Sequence, residues 1–246
     1  MNKLENKIRL FDKDLSIILG SLAYHIAPEI VKYIMERNKK EYAIFEKLFG
    51  NRIDVKNYLF AGSDCVFPGI KRYISGEGQK QKYNEKYKAI IDDNTFPRHI
   101  WCFLINGKCY TGPNWKETKL EEFELAHIFT HKESEIFMEK NYFKVVENNI
   151  FPYGEFTSAA NVVLLPKGTV RPTDNSTILK SIFFKRYIEL YGEETLNGRK
   201  GFIENKVPEW YNEIKWNKPF LPNDWKWNID KLLEYRKERI ITIMNK

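Results

Sequence analysis

Glu124-Leu125-Ala126-His127-Ile128-Phe129-Thr130-His131-Lys132, followed by Phe156-Thr157-Ser158-Ala159-Ala160-Asn161-Val162-Val163-Leu164-Leu165-Pro166, is the stretch on which the reading of this chain turns. Two of its four histidines fall within five positions of the first segment. Leu-Ala-His-Ile-Phe reads as a short strand, and the second segment sets an Asn before a β-branched and leucine run that reads as another. Arg171-Pro172-Thr173-Asp174-Asn175-Ser176 then opens an amphipathic helix. Ile178, Leu179, Ile182, Phe183, Tyr187 and Leu190 supply its apolar stripe, and Gly192 after Tyr191 suits its end.

A strand with His, a strand or loop with Asn and a helix whose first turn offers an oxygen ligand resemble, in that order, the HNH or ββα-metal nuclease superfamily. The resemblance spans residues 123–191 and rests on a short motif. It implies a metal-dependent DNA endonuclease of restriction or phage-defence type, with His127 as the general base and Asn161 holding that imidazole. Asp174 becomes a ligand for Mg²⁺ or Mn²⁺. The position directly before the base, acidic or His in many members, is Ala126 here, which leaves Glu124 and His131 as further metal-side residues. The chemistry fits these residue types. A neutral imidazole can take a proton from water near physiological pH, and a hard cation can offset charge building on a phosphate. Lys132, Lys167 and Arg171 lie close in sequence and are expected to hold phosphate oxygens. Cutting both strands of a duplex calls for two sites, hence a homodimer.

Two other readings of the same residues stay open. A non-catalytic nucleic-acid-binding or structural protein would use the His pair as packed core residues, with Asn161 and Asp174 as turn and capping residues. Alternatively Cys102, Cys109, His127 and His131 form a two-Cys, two-His set for a structural Zn²⁺. The triplets Asp224-Trp225-Lys226 and Glu204-Asn205-Lys206 have the spacing of a carboxylate-lysine nuclease but no companion Pro-Asp strand. No phosphate-cradling glycine loop, Gly-x-Ser-x-Gly elbow or His-Glu-x-x-His helix occurs, which leaves ATP-driven and common hydrolase chemistries without support.

Outward from this unit the chain divides into a mainly helical region 1–95, a hairpin plus ββα unit 96–192, and a basic, aromatic extension 193–246 packed on the same domain. The expected fold class is α+β. Leu15, Ile18, Leu19, Leu22 and Ile26 recur at helical spacing. Glu29 to Arg37 continues as a second helix stopping near Asn38, and a third runs from Glu41 to Phe49. His25 is expected in the core. Gly76 to Lys82 reads as an exposed glycine-bearing basic loop. Trp101-Cys102-Phe103-Leu104-Ile105 and Lys108-Cys109-Tyr110-Thr111 flank Asn106-Gly107, which predicts a type I′ hairpin. Trp210, Trp216, Trp225 and Trp227, interleaved with lysines, predict either an extension packed on the core or a surface that stacks bases. A last helix is expected from Ile229 to Ile243.

Composition narrows the class without deciding the partner. Lys+Arg 40 against Asp+Glu 33 gives a net charge of +7, which suits a polyanion such as DNA and suits ordinary enzymes as well. A membrane-spanning helix needs about 20 consecutive apolar residues, and no stretch of this chain approaches that. The polar start Met1-Asn2-Lys3-Leu4-Glu5 lacks the apolar run of a secretory signal, so the expected address is cytoplasmic. Three cysteines, Cys65, Cys102 and Cys109, are an odd number and fit free thiols better than a disulfide framework.

Overall fold

A computed structural model describes residues 3–53, 61–76, 78–109, 120–147, 153–169 and 176–245, with side chains 3–10 and 133 excepted. The chain folds as α+β. Among the described residues, helices α1 (Lys3–Leu22) and α2 (Pro28–Phe49) come first. Strands β1 (Ile70–Arg72), β2 (Lys82–Asn84) and β3 (Ala89–Asp92) follow, then α3 (Thr95–Asn106) and β4 (Phe123–His127). Next are β5 (Phe143–Val146), β6 (Val162–Pro166), α4 (Thr177–Tyr191), β7 (Arg199–Phe202) and α5 (Trp225–Met244). The strands make three small sheets: β3 central between β1 and β2, β4 with β6, and β5 with β7. No helix among the described residues is long and apolar enough to cross a membrane.

The two strands expected around His127 and Asn161 form. β4 and β6 pair antiparallel with His127 opposite Val162 and Phe123 opposite Pro166. Partners across an antiparallel pair share a face, and alternate residues change face. Ala126, Val163 and Leu165 therefore look one way, where Leu179, Ile182 and Phe183 of α4 pack on them together with Leu19 and Ala23. Val162 and Leu164 look the other way into the main core. That core runs continuously from Ile26 to Met244 and takes residues from all three stretches of the chain.

The hairpin expected around Asn106-Gly107 does not form: residues 95–106 are helix α3. Asn-Gly suits a left-handed helix end as well as a type I′ turn. Here Gly107 has φ 65° and its N–H donates to the Phe103 carbonyl at 2.8 Å, closing the helix. Trp101, Cys102, Phe103 and Leu104 are all buried, so no period-two pattern could show which element they form. Tyr110 and Thr111 of that expected hairpin lie outside the described residues.

The N-terminal helices also differ from expectation. α2 runs unbroken through Asn38, because the Asn38 amide finds tertiary partners: it donates to the Ser63 and Cys65 carbonyls, each at 2.7 Å, and accepts from Arg236 at 2.8 Å. On the described part of α1 the buried residues are Ser16, Leu19 and Gly20, continued by Ala23 just past its end, while Ile18 and Leu22 are exposed. Ile26 lies beyond α1 and bridges to Phe220. A small-residue face lets α1 approach closely, and a Cβ on Gly20 would collide with Ile214. Of the clustered tryptophans, Trp216 packs edge-on to Phe183 and His25, and Trp225 edge-on to Tyr33. Trp227 stays 59% exposed beneath the Lys231 ammonium.

Candidate functional site

His127 ends β4, and its half-buried ring stacks on Phe156 at 5.3 Å between centroids. Its Nε2 lies 3.1 Å from the Phe156 carbonyl oxygen. A carbonyl can only accept, so Nε2 carries the proton and Nδ1 keeps the lone pair. Burial, reinforced by the nearby Arg72 guanidinium and opposed by the Phe156 carbonyl, pushes the imidazole pKa down to about 4. At neutral pH His127 is therefore an uncharged ring with a fixed tautomer.

His131 joins it, with the two rings 4.7 Å apart. The Arg72 Nη1 sits 2.7 Å from His131 Nε2. A guanidinium only donates, so Nε2 accepts and the proton of a neutral ring is on Nδ1. That Nδ1 is buried with no hydrogen-bond partner among the described residues. Burial first, then His127, Arg72, Lys132 and Lys71, hold the His131 pKa well below its ordinary value. Arg72 ends β1, whose parallel pairing with β3 places it opposite Asp92. Lys71 beside it is buried, with its ammonium over the Tyr87 and Tyr153 rings at 4.4 and 5.2 Å.

Among the described residues Asn161 makes no hydrogen bond to the His127 ring. Its Oδ1 accepts from the Phe129 N–H at 2.7 Å, and its Nδ2 donates to the Phe129 carbonyl at 3.3 Å and to the Glu155 carbonyl at 3.0 Å. The Ile128 N–H donates to the Asn161 carbonyl at 3.1 Å. This one buried side chain therefore clips the exit of β4 to the segment whose next carbonyl, that of Phe156, receives His127. It is a positioning residue acting through backbone.

Behind the clip lies a buried ionic group. Arg199 pairs with Glu139 through Nε and with both oxygens of Glu155, at 2.6 and 3.0 Å, beneath the Phe129 ring. Glu139 also accepts from the Thr130 N–H at 2.9 Å. Two carboxylates facing one guanidinium in a dry site leave one negative charge uncompensated. Burial raises Glu155 to about 7 even though Arg199 favours its ionised form. The group holds the loop joining His127 to His131 through the Thr130 N–H and the Phe129 ring.

The other expected residues scatter. Glu124 pairs with Leu165 on the sheet face that carries Ala126, opposite the face of His127, so the two cannot share one ligand. Lys167 follows β6 at the Phe123 end of the sheet, about 14 Å from the His127 end at the usual strand rise. That separation exceeds the reach of a lysine side chain, so Lys167 and His127 do not meet on one phosphate oxygen. Lys132 is near His131, but its ammonium is paired with Glu135 at 2.7 Å. Asp174 and Arg171 lie outside the described residues.

Among the described residues no three His, Cys, Asp or Glu side chains are grouped to hold a metal ion. The tetrad Cys102, Cys109, His127 and His131 is therefore not assembled, and Cys102 is buried in α3. His131 and Glu124 do not form a ligand set with His127, and the Arg72 guanidinium on His131 Nε2 opposes a cation there. Sequence reading missed Arg72, Lys71, Arg199, Glu139, Glu155 and the Phe156 carbonyl. The basic pair closing Val66-Phe67-Pro68-Gly69-Ile70-Lys71-Arg72 was the one available signal for any of them. Comparison with protein-family models, curated proteins and solved structures yields no match, so the chemistry assigned to this site rests on its own geometry.

Proposed function

We propose that the protein is a DNA endonuclease of the HNH kind, in restriction or phage defence, that hydrolyses phosphodiester bonds with His127 as general base. The observation that carries this reading is the His127 tautomer: Nε2–H tied to the Phe156 carbonyl and Nδ1 left with its lone pair. A base for water needs that combination of a neutral ring and a fixed lone pair. Nδ1 takes a proton as the water oxygen bonds to phosphorus. The bond to the leaving oxygen breaks, and that oxygen is protonated from solvent. Arg72 supplies positive charge beside the pair of rings, and the His131 Nδ1–H, a donor without an acceptor among the described residues, suits a phosphate oxygen. A bound phosphate would raise the His127 pKa from about 4 towards the working range by adding negative charge.

The HNH resemblance adds Mg²⁺ or Mn²⁺ to this proposal as charge neutralisation on the phosphate. With Glu124 on the other sheet face and His131 held by Arg72, the described residues do not fit such an ion, and Asp174 is the remaining expected ligand. The packing of both histidine rings on Phe156 suits the second reading, a nucleic-acid-binding protein with no catalysis. Incubating supercoiled plasmids from several sources with the protein and Mg²⁺ or Mn²⁺, beside a His127→Ala variant, separates the two. Nicking by wild type that fails in the variant supports the nuclease. Equal nicking by both, or none by either, rejects it.

A further inference from the structure

Helix α1 carries Leu4, Ile8, Phe11, Leu15, Ile18 and Leu22, spaced alternately by four and three residues along one stripe. This is the 3.5-residue repeat of a coiled-coil seam. The stripe is not the face α1 buries, which is Ser16, Leu19 and Gly20, continued by Ala23 just past its end, roughly 110° around the helix at about 100° per residue. Phe11 is 64% exposed, Ile18 53% and Leu22 43%, and Leu15 between them is half-buried. Among its described side chains, a monomer would leave Phe11, Ile18 and Leu22 facing water, while Leu15 leans partly on the core.

We propose that α1 pairs in parallel with α1 of a second copy of this chain. The seam is complementary to itself, and the flanking charges set the direction. With Ile8, Leu15 and Leu22 at the a positions and Leu4, Phe11 and Ile18 at d, the register puts Lys7 at g and Asp12 at e. In a parallel pair each g position faces the next e position of the partner, so Lys7 meets Asp12 twice by symmetry. An antiparallel pair with the same six apolar layers sets Asp12 against Asp12 and Asp14 against Asp14. Acidic residues beside the stripe also disfavour an anionic membrane surface, which basic flanks would suit. The twofold arrangement is independent of the nuclease reading, and it would give that reading two sites for two strands.

Sedimentation velocity of the full chain over a dilution series tests this. The expected mass is twice 29.4 kDa at the top of the series for wild type and 29.4 kDa for Ile18→Lys, with unchanged far-ultraviolet circular dichroism in the variant. Ile18→Cys should then form a homodisulfide in air that the wild type does not, since the parallel register sets position 18 against position 18. A wild type that stays monomeric, or a dimer that survives Ile18→Lys, overturns the proposal. So does cross-linking of Ile18→Cys to Ile8→Cys in a mixed sample without the 18–18 product.

Discussion

Replacing Asn161 with Ala removes the clip between the β4 exit and the segment that receives His127, and its cost can be worked from the contacts. The Phe129 N–H loses the acceptor at 2.7 Å, and Phe129 is buried. Leaving such a donor unpaired costs about 1–3 kcal/mol. The Phe129 carbonyl loses a donor at 3.3 Å, whereas the Glu155 carbonyl keeps the Ser158 N–H at 3.1 Å. These two losses add about 1 kcal/mol each at the usual net worth of a hydrogen bond. The sum is roughly 3–5 kcal/mol, a large share of the stability of an ordinary domain. Asn161→Asp sharpens the test. It keeps the acceptor for Phe129 but turns a carboxylate towards the Phe129 and Glu155 carbonyl oxygens, so it should cost at least as much as Ala. Urea unfolding gives the global figure, and amide exchange at Phe129 reports the local one. A loss under 1 kcal/mol for Asn161→Ala, the size expected of a surface turn residue, would refute the clip.

Other outcomes follow from the same contacts. Arg199→Met should cost about 3–5 kcal/mol in urea unfolding, because it strands the Glu139 and Glu155 carboxylates in a dry site, and adding Glu155→Gln should recover part of that loss. Gly20→Ala should destabilise by about 1–3 kcal/mol despite the better helix propensity of Ala, since the new methyl collides with Ile214. A neutral or stabilising result would show that α1 does not pack that closely. His25, His99 and His127 have folded pKa values of about 3, 4 and 4, below their ordinary 6.5, so between those values the unfolded chain binds more protons. Stability is then lost as pH falls from about 7 to 5, by roughly 2 kcal/mol per histidine. Glu155, raised to about 7, and Asp92, raised to about 6, act in the opposite sense, because protonation favours their folded forms. His131, also lowered by burial, adds to the histidines and Asp64, also raised by burial, to the carboxyls; four histidines outweigh three carboxyls, so the urea midpoint should be lower at pH 5 than at pH 7.

What could be read from the sequence was what local pattern encodes. β4, β6, the Asn at the head of β6 and the helix ending at Tyr191 each carry their own periodicity and punctuation, and each forms. The failed hairpin shows where pattern stops. Asn106-Gly107 serves a helix end as readily as a turn, and only tertiary burial on every side of Trp101 to Leu104 decides between them. The candidate site was legible in its histidines and not in what sets their protons. The acceptor for His127 is a backbone carbonyl, which no residue type announces, and Arg72 reaches His131 from a strand far upstream. Arg199 meets Glu139 and Glu155 from a third segment. The misplacement of Lys167 was recoverable in principle, since an antiparallel partner of β4 must carry its last residue away from His127.

The site stands on His127 presenting an unprotonated Nδ1 at neutral pH. Nitrogen-15 NMR of the histidine side chains in the wild-type protein, assigned with His127→Ala, reads this directly. The expected result is an Nε2–H tautomer at pH 7 that stays neutral until the pH approaches about 4. A proton on Nδ1, or titration at the ordinary histidine value of 6.5, would contradict it.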